Sequence, residues 1–325
     1  MKAVRYHQTG GPEVLRFEDA PEPSCGDGDL VLKVEAAGVN YADVMRRSGM
    51  YHFKVDFPAM LGTEAAGTVI AVGRELAGYT IGDRVFTRTT LAGCQAEQVR
   101  VPVDEALPMP ASLSFVEAAS IPVAFLTAYH MLKTLAPLRA GETVLVQAAA
   151  SGVGTAAVQL ARAWGAKVLA TASTEAKLDL VRTLGADAAI NYRDHGFIEA
   201  ALDFTGGKGV DRVLECVGGQ VVLDSITALA PGGRLMIYGR ASGSLPPLPA
   251  EQLFAKNLQV YGLNIGGPPW TQAMHRAALS EILSMVATGQ VKPVISRTFA
   301  MAEVAEAHRY VSDRQTMGKV ILLPR

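Results

Sequence analysis

The sequence predicts a two-domain α/β protein, with a β-rich unit of short strands beside a unit built on a doubly wound parallel sheet. Three observations carry this. The chain has 325 residues, too many for one ordinary domain and comfortable for two. In its first third, short apolar runs are separated by turn formers such as Gly10-Gly11-Pro12 and Ala77-Gly78-Tyr79. In its middle third, apolar runs alternate regularly with helical stretches, the pattern of parallel strands joined by right-handed crossovers.

Taken in order, strands are expected at residues 2–6, 14–17, 30–37, 67–72, 83–87 and 96–102, enough for a partly closed barrel or sandwich. A helical stretch opens at 114–120, with Ser112 or Ser114 as N-cap and Glu117 in its first turn. The period then changes. Strands at 142–148, 167–172, 188–192, 211–217, 234–239 and 259–263 alternate with helices at 153–164, 175–184, 195–204 and 220–229. These strands are almost continuously apolar, as a sheet covered on both faces requires. Residues 242–249, with three prolines, form a loop. Helices at 270–288 and 302–311 and a strand at 318–323 are too little for a third domain and are assigned back to the first. The expected division is 1–124, then 125–265, then 266–325.

Composition removes several classes of function. Basic and acidic residues nearly cancel, 30 against 31, and no stretch concentrates Lys and Arg enough to neutralise a row of phosphates, so no nucleic-acid partner is expected. The uncharged stretch 143–161 has the length of a membrane span, but Ser151, Gly152, Gly154 and two glutamines break it into a strand, a turn and a helix. No membrane partner is expected. Three cysteines (Cys25, Cys94, Cys216) without a C-x-x-C indicate neither a disulfide framework nor a cysteine zinc site. The strand-like N-terminus lacks a signal-peptide core, and a reducing, cytoplasmic setting is the default.

The strongest local signal is the run from Val144 to Gly154, a buried strand entering a turn of small residues that opens a helix. Small side chains let backbone approach a pyrophosphate, and the helix N-terminus offers N–H groups and the positive end of a dipole. Set in a full β-α-β series, this reads as a dinucleotide site of Rossmann type, although Ala148 and Ala149 alter the usual glycine pattern. NAD sites place a carboxylate at the tip of the second strand to bind the ribose hydroxyls. Here the tip reads Ala172-Ser173, and Glu175 falls in the next helix turn, where an acid suits the dipole. Lys177 close by suits a 2′-phosphate, but on its own it reads better as a solvated helix lysine.

The run 148–159, with Asn40-Tyr41-Ala42-Asp43, Leu61-Gly62-Thr63-Glu64 and Gly82-Asp83-Arg84-Val85, resembles the medium-chain dehydrogenase/reductases. The resemblance spans the chain and is strongest to their zinc-free, zeta-crystallin-type NADPH:quinone oxidoreductases. It implies a GroES-like β-rich catalytic domain, split in sequence around a Rossmann domain. It further implies that NADPH is the cofactor, with Lys177, Tyr192 and Arg314 on its 2′-phosphate. Thr127, Gly152, Val153, Gly154 and Ser173 are expected to line the same site, with Cys216 and Tyr238 counted among them. Leu263 and Ile265 are expected to flank the nicotinamide end, and Asn40 and Tyr51 to face the substrate as the catalytic pair. A homodimer through the last strand of the parallel sheet is implied as well. The chain departs from the group at Ser151, where a glycine is usual, at Met45 and at Cys94; these differences leave the cofactor reading alone but weaken any transfer of substrate preference.

Where zinc relatives carry metal ligands, this chain has Asn40 and Thr63, neither a normal zinc ligand, and the four-cysteine zinc loop is missing. The six histidines form no H-x-x-x-H pair, so no metal is expected. Glu64 reads as structural, with an arginine as its expected partner. A serine-hydrolase reading fails because the glycine of the nucleophile elbow before Ser151 is missing. The expected function is hydride transfer from NADPH to an electrophilic small molecule, a quinone or conjugated enone. Two alternatives stay open: reduction of activated C=C bonds in acyl thioesters or haloacrylates, and NADPH binding with a structural or regulatory role.

Overall fold

The structure, a computed structural model, describes residues 1–325 except 52–54, 75, 90, 92 and 195. The described chain divides into two compact units: Met1–Val123 with Thr271–Arg276 and Pro293–Arg325, and Ala124–Trp270 with Ala277–Lys292.

In chain order the first unit has strands β1 (Lys2–Tyr6), β2 (Arg16–Asp19), β3 (Asp29–Val39), β4 (Ala59–Met60), β5 (Glu64–Val72), β6 (Arg84–Arg88), β7 (Gln98–Pro102) and β8 (Ala106–Pro108), with helices α1 (Tyr41–Arg47) and α2 (Phe115–Ser120). The second has α3 (Pro122–Tyr129), β9 (Thr143–Val146), α4 (Gly152–Ala163), β10 (Lys167–Ala172), α5 (Glu175–Thr183), β11 (Ala188–Asn191), α6 (Phe197–Phe204), β12 (Val210–Glu215), α7 (Gln220–Ala228), β13 (Leu229–Ile237), α8 (Ala250–Ala255) and β14 (Gln259–Gly262). The chain ends with α9 (Gln272–Ala287), β15 (Ile295–Ala300), α10 (Val304–Ser312) and β16 (Lys319–Leu323).

The second unit is the doubly wound sheet that the alternation predicts. Its six strands run parallel in the order β11-β10-β9-β12-β13-β14, so the direction of winding reverses between β9 and β12. Ligands of open α/β sheets bind at the carboxyl ends of the strands beside such a reversal. Val144, Leu145, Val146, Val168, Leu169, Val213 and Leu214 are all buried, as two covered faces require. Arg212 breaks the apolar pattern of β12 and is also fully buried. Its guanidinium donates to the carbonyls of Ala136 and Pro137, both at 2.7 Å, and to Glu142 at 2.6 Å, so the charge is buried but matched.

The first unit is GroES-like. A sheet in the order β15-β16-β3-β5-β6-β8, with β7 also on β3, packs its apolar face into a core containing Leu30, Leu32, Val34, Val69, Val85 and Leu322. A small sheet, β2-β1-β4, flanks it in sequence. Ser114 caps α2 with a full capping box on Glu117, the partnership expected from S-x-x-E.

Several elements differ from the sequence expectation. The strand expected at 14–17 begins two residues later, as β2, because Pro12–Val14 form a 3₁₀ turn that proline at its first position favours. Helix α1 was hidden because it buries Asp43 and Arg47 alongside Val44 and Met45, which erases the amphipathic pattern. Strand β15 was missed because its burial does not alternate cleanly. Residues 277–292, expected with the C-terminal part of the catalytic domain, group with the second unit. Glu281 accepts from the Tyr129 hydroxyl at 2.7 Å and pairs with Lys133, and Gln159 bonds the Lys292 backbone in both directions at 2.9–3.0 Å. The expected helix start at His195 lies outside the described residues. Among the described residues no helix is long and apolar enough to cross a membrane.

Candidate functional site

In the second unit the strand ends are held level. The Ala149 N–H donates to the Thr171 carbonyl, Gln147 to Leu214, Tyr192 to Ala172, Tyr238 to Glu215 and Leu263 to Ile237, all at 2.9–3.2 Å. Seven of the predicted cofactor residues therefore lie along one rim. Ser173 follows β10, Tyr192 follows β11, Cys216 follows β12, Tyr238 follows β13 and Leu263 follows β14, while Gly152 and Val153 open α4 after β9. Lys177 sits in the first turns of α5, Ile265 just beyond Leu263, and Thr127 on α3.

The turn before α4 is shaped for close approach. Ala148 adopts φ 49°, in the left-handed region, which costs a non-glycine residue about 1–2 kcal/mol. A Cβ on Gly154 would stand 2.5 Å from the Ala148 carbonyl oxygen, so only glycine lets α4 seat against the turn. Ser151 replaces the family's glycine without strain. It is extended (φ −74°, ψ 172°), and its hydroxyl accepts from the Gly154 N–H at 3.0 Å, capping the helix. The N–H groups of Gly152 and Val153, which open the helix, have no intrahelical acceptor and are available to an anion. Ser173, buried and uncharged, follows β10, and Glu175 is turned to Arg182 at 2.6 Å. This donor set fits a phosphorylated dinucleotide. Sequence reasoning missed Glu215, buried at the end of β12, whose Oε1 accepts from Val217 and Gly218 N–H at 2.6 and 2.9 Å and whose carboxyl is pushed up by burial. It braces the β12–α7 turn, and a charged residue at the end of an apolar strand was its only sequence signal. Burial, reinforced by Cys216, likewise holds the Tyr238 phenol well above the ordinary tyrosine range.

In the first unit Asn40 is the N-cap of α1, its N–H donating to Asp43 at 2.9 Å. Its carboxamide is engaged on both sides. Nδ2 donates to Glu64 Oε1 at 2.8 Å, and Oδ1 accepts from the Lys319 ammonium at 2.5 Å. Glu64 also pairs directly with Lys319, and its Oε2 accepts from the Val123 N–H at 2.8 Å. The partner expected for Glu64 was an arginine; it is Lys319, delivered by the register of β16 on β3. Lys319 carried no sequence signal, since a lysine opening a terminal strand usually faces water. Glu64 and Lys319 are both buried, and a Cβ on Gly38 would stand 2.3 Å from Glu64 Oε1, so the glycine makes room for the carboxylate. Tyr51 lies under Arg46, whose guanidinium is 4.9 Å from the ring centroid. Arg88 is almost fully buried; burial pulls its pKa down, opposed by Glu105, Glu64 and Tyr51. Met45 and Cys94 are buried, and burial together with Glu64 and Asp43 pushes the Cys94 thiol well up, so it is a packing residue rather than a nucleophile. Arg314, in the left-handed region at φ 57°, belongs to the first unit, whereas Lys177 and Tyr192 belong to the second.

The residues at the expected metal position do not fit zinc. The Asn40 carboxamide lies between a carboxylate and an ammonium, and a cation already neutralises Glu64. Among the described residues no group of three His, Cys, Asp or Glu converges. His52 and His195 lie outside them.

Residues 26–111 match the alcohol dehydrogenase GroES-like domain, and residues 152–282 match the zinc-binding dehydrogenase family. Human quinone oxidoreductase is 34% identical over 325 residues, covering 99% of this chain and 98% of that protein. A 2-haloacrylate reductase from Burkholderia is also 34% identical, with 99% of both chains covered. The structure of Escherichia coli quinone oxidoreductase complexed with NADPH superposes with a TM-score of 0.95 at 31% identity over 100% of both chains.

Proposed function

The chain belongs to the medium-chain dehydrogenase/reductase family, on its quinone oxidoreductase branch, and on that premise we propose that it is an NADPH-dependent reductase of quinones and conjugated enones. The observation that carries the cofactor choice is the uncharged tip of β10, with Ser173 beside Tyr192 and Lys177 opening α5. A carboxylate there would repel a 2′-phosphate; a lysine and a phenol attract it. NADPH supplies a hydride when bound.

The chain's own residues bind and orient. The N–H groups opening α4 would receive the pyrophosphate, Lys177 and Tyr192 the 2′-phosphate, and Thr127, Cys216, Tyr238, Leu263 and Ile265 would line the remainder of the cofactor site. Asn40 keeps a second amide proton, which donates to the acceptor's carbonyl oxygen as negative charge grows there. Tyr51 is the second donor and a source of the proton. With no Lewis acid in this donor set, the acceptor must already be electrophilic, and quinones and enones spread the incoming charge by delocalisation. The same donors suit the carbonyl of an activated C=C substrate, a second reading that the haloacrylate-reducing relative favours.

The test is NADPH oxidation against 1,4-benzoquinone, a conjugated enone, a 2-haloacrylate and a saturated ketone. Turnover of the first two with none on the ketone is expected, and the reverse pattern refutes the chemistry. Asn40→Ala is expected to lower kcat by about 10–1000-fold. The chain is further proposed to act in the cytoplasm, in keeping with three free cysteines, and to dimerise through β14, which lies at the edge of its sheet. A monomer by light scattering at micromolar concentration would remove the dimer.

A further inference from the structure

The Glu64–Lys319 pair is costly as a structural device. Both groups are buried, and an apolar pair of similar volume would stabilise the fold at least as well. Four features nevertheless converge on it. Gly38 gives up its side chain to admit Glu64. The Val123 N–H satisfies the far carboxylate oxygen. Gly318, at φ +107° with no room for a Cβ beside the Val294 carbonyl, turns the chain so that Lys319 opens β16. The register of β16 on β3, Val320 opposite Val39, then brings Lys319 level with Asn40.

The consequence falls on the Asn40 carboxamide. A carboxylate only accepts and an ammonium only donates, so the two flanking groups admit one flip state: nitrogen toward Glu64, oxygen toward Lys319. Neither group alone does this as firmly, because an amide with one ionic neighbour can rotate and exchange its other contact for water. An ammonium on the amide oxygen also draws charge from the nitrogen, which makes the remaining N–H a stronger donor through the same bonded chain.

We propose that Lys319 is a positioning residue for the reduction, locking and polarising the Asn40 carboxamide so that its free N–H is presented to the oxygen of the acceptor. This rests on the reductase reading above. Lys319 is buried against Asn40 and Glu64, and it acts through Asn40.

The experiment uses the full-length protein with Lys319→Met, which keeps the stem and removes the charge, and Lys319→Arg, which keeps donors and charge. Three quantities are read: NADPH affinity by nicotinamide fluorescence, the single-turnover rate on a conjugated enone together with KM, and the side-chain amide resonances of protein labelled at its four asparagines. The Asn40 pair is assigned by its loss in Asn40→Asp. Lys319→Met is expected to slow turnover by about 30-fold or more, a loss of the size seen when an oxyanion donor is weakened. KM and NADPH affinity are expected to stay within about two-fold, as for an interaction made mainly in the transition state. The Asn40 amide pair shifts in the unliganded protein, and Lys319→Arg restores both the rate and the shift. If Lys319→Met does not fold, Lys319→Gln is read the same way.

A folded, NADPH-binding variant with a near wild-type rate overturns the role of Lys319 and leaves the reductase reading intact. An unmoved Asn40 resonance in a slow variant also overturns it, by showing that the loss is not routed through the carboxamide. Wild-type protein that binds NADPH and reduces neither enone nor quinone overturns the reductase reading itself, and the role of Lys319 falls with it.

Discussion

His308 makes the stability of the first unit depend on acid. It lies fully buried on α10, neither ring nitrogen has a hydrogen-bond partner among the described residues, and Arg47 on α1 is a nearby cation. Burial first, and Arg47 second, hold the imidazole down from 6.5 to about 3. The folded state therefore keeps the neutral ring throughout the range in which the unfolded chain takes up a proton. Above the unfolded value the group is neutral in both states and has no effect. As pH falls below 6.5, the unfolded state gains about 1.4 kcal/mol per pH unit, until the folded ring protonates near 3. The folded state is thus about 2 kcal/mol less stable at pH 5 than at pH 7.5 through this group alone, and about 5 kcal/mol less stable at the acid limit. Urea unfolding followed by circular dichroism at several pH values measures the loss. His308→Leu removes two unpaired buried nitrogens, so it is expected to be near neutral at pH 7.5 and to abolish this share of the pH dependence. Arg47→Met is expected to recover part of it, since the cation is the second cause. Identical pH dependence in wild type and His308→Leu would refute the reasoning.

Other expectations follow from single contacts. Lys177→Ala is expected to weaken NADPH about ten-fold or more while leaving NADH unchanged, because a charge-assisted bond to phosphate is worth roughly 1.5–3 kcal/mol; equal effects on both nucleotides by fluorescence titration would remove Lys177 from the phosphate site. Arg212→Ala leaves the Ala136 and Pro137 carbonyls without their side-chain donor and opens a cavity in β12, while Glu142 keeps Arg234 and the Arg139 N–H, and is expected to cost about 2–4 kcal/mol in urea unfolding. Gly154→Ala drives a methyl into the Ala148 carbonyl and is expected to lower both thermal stability, by differential scanning calorimetry, and NADPH affinity, by fluorescence titration.

The doubly wound sheet was legible in the chain because its central strands are buried on both faces. Burial on both sides writes an unbroken apolar run into the sequence, and the helices between such runs carry their own period. The small-residue turn from Ala148 to Gly154 was legible for a similar reason, since close backbone approach excludes side chains whatever surrounds the turn. Ser151 and Ser173 are placed on that rim by the chain itself, because their positions follow from local strand and helix ends.

The acceptor end was not legible in the same way. Glu64 and Lys319 lie 24 and 279 residues beyond Asn40, and only the pairing of β3 with β5 and β16 makes them neighbours. Glu64 was given an arginine partner because an ion pair between distant residues leaves no periodic trace. Helix α1 was hidden by the buried Asp43 and Arg47, and β12 concealed a buried charge at Arg212. Local sequence determined the elements and the cofactor turn, where one residue's neighbours in the chain set its conformation. Tertiary structure alone decided which buried charges face one another, because those energies depend on distances that sheet register creates and chain order does not record.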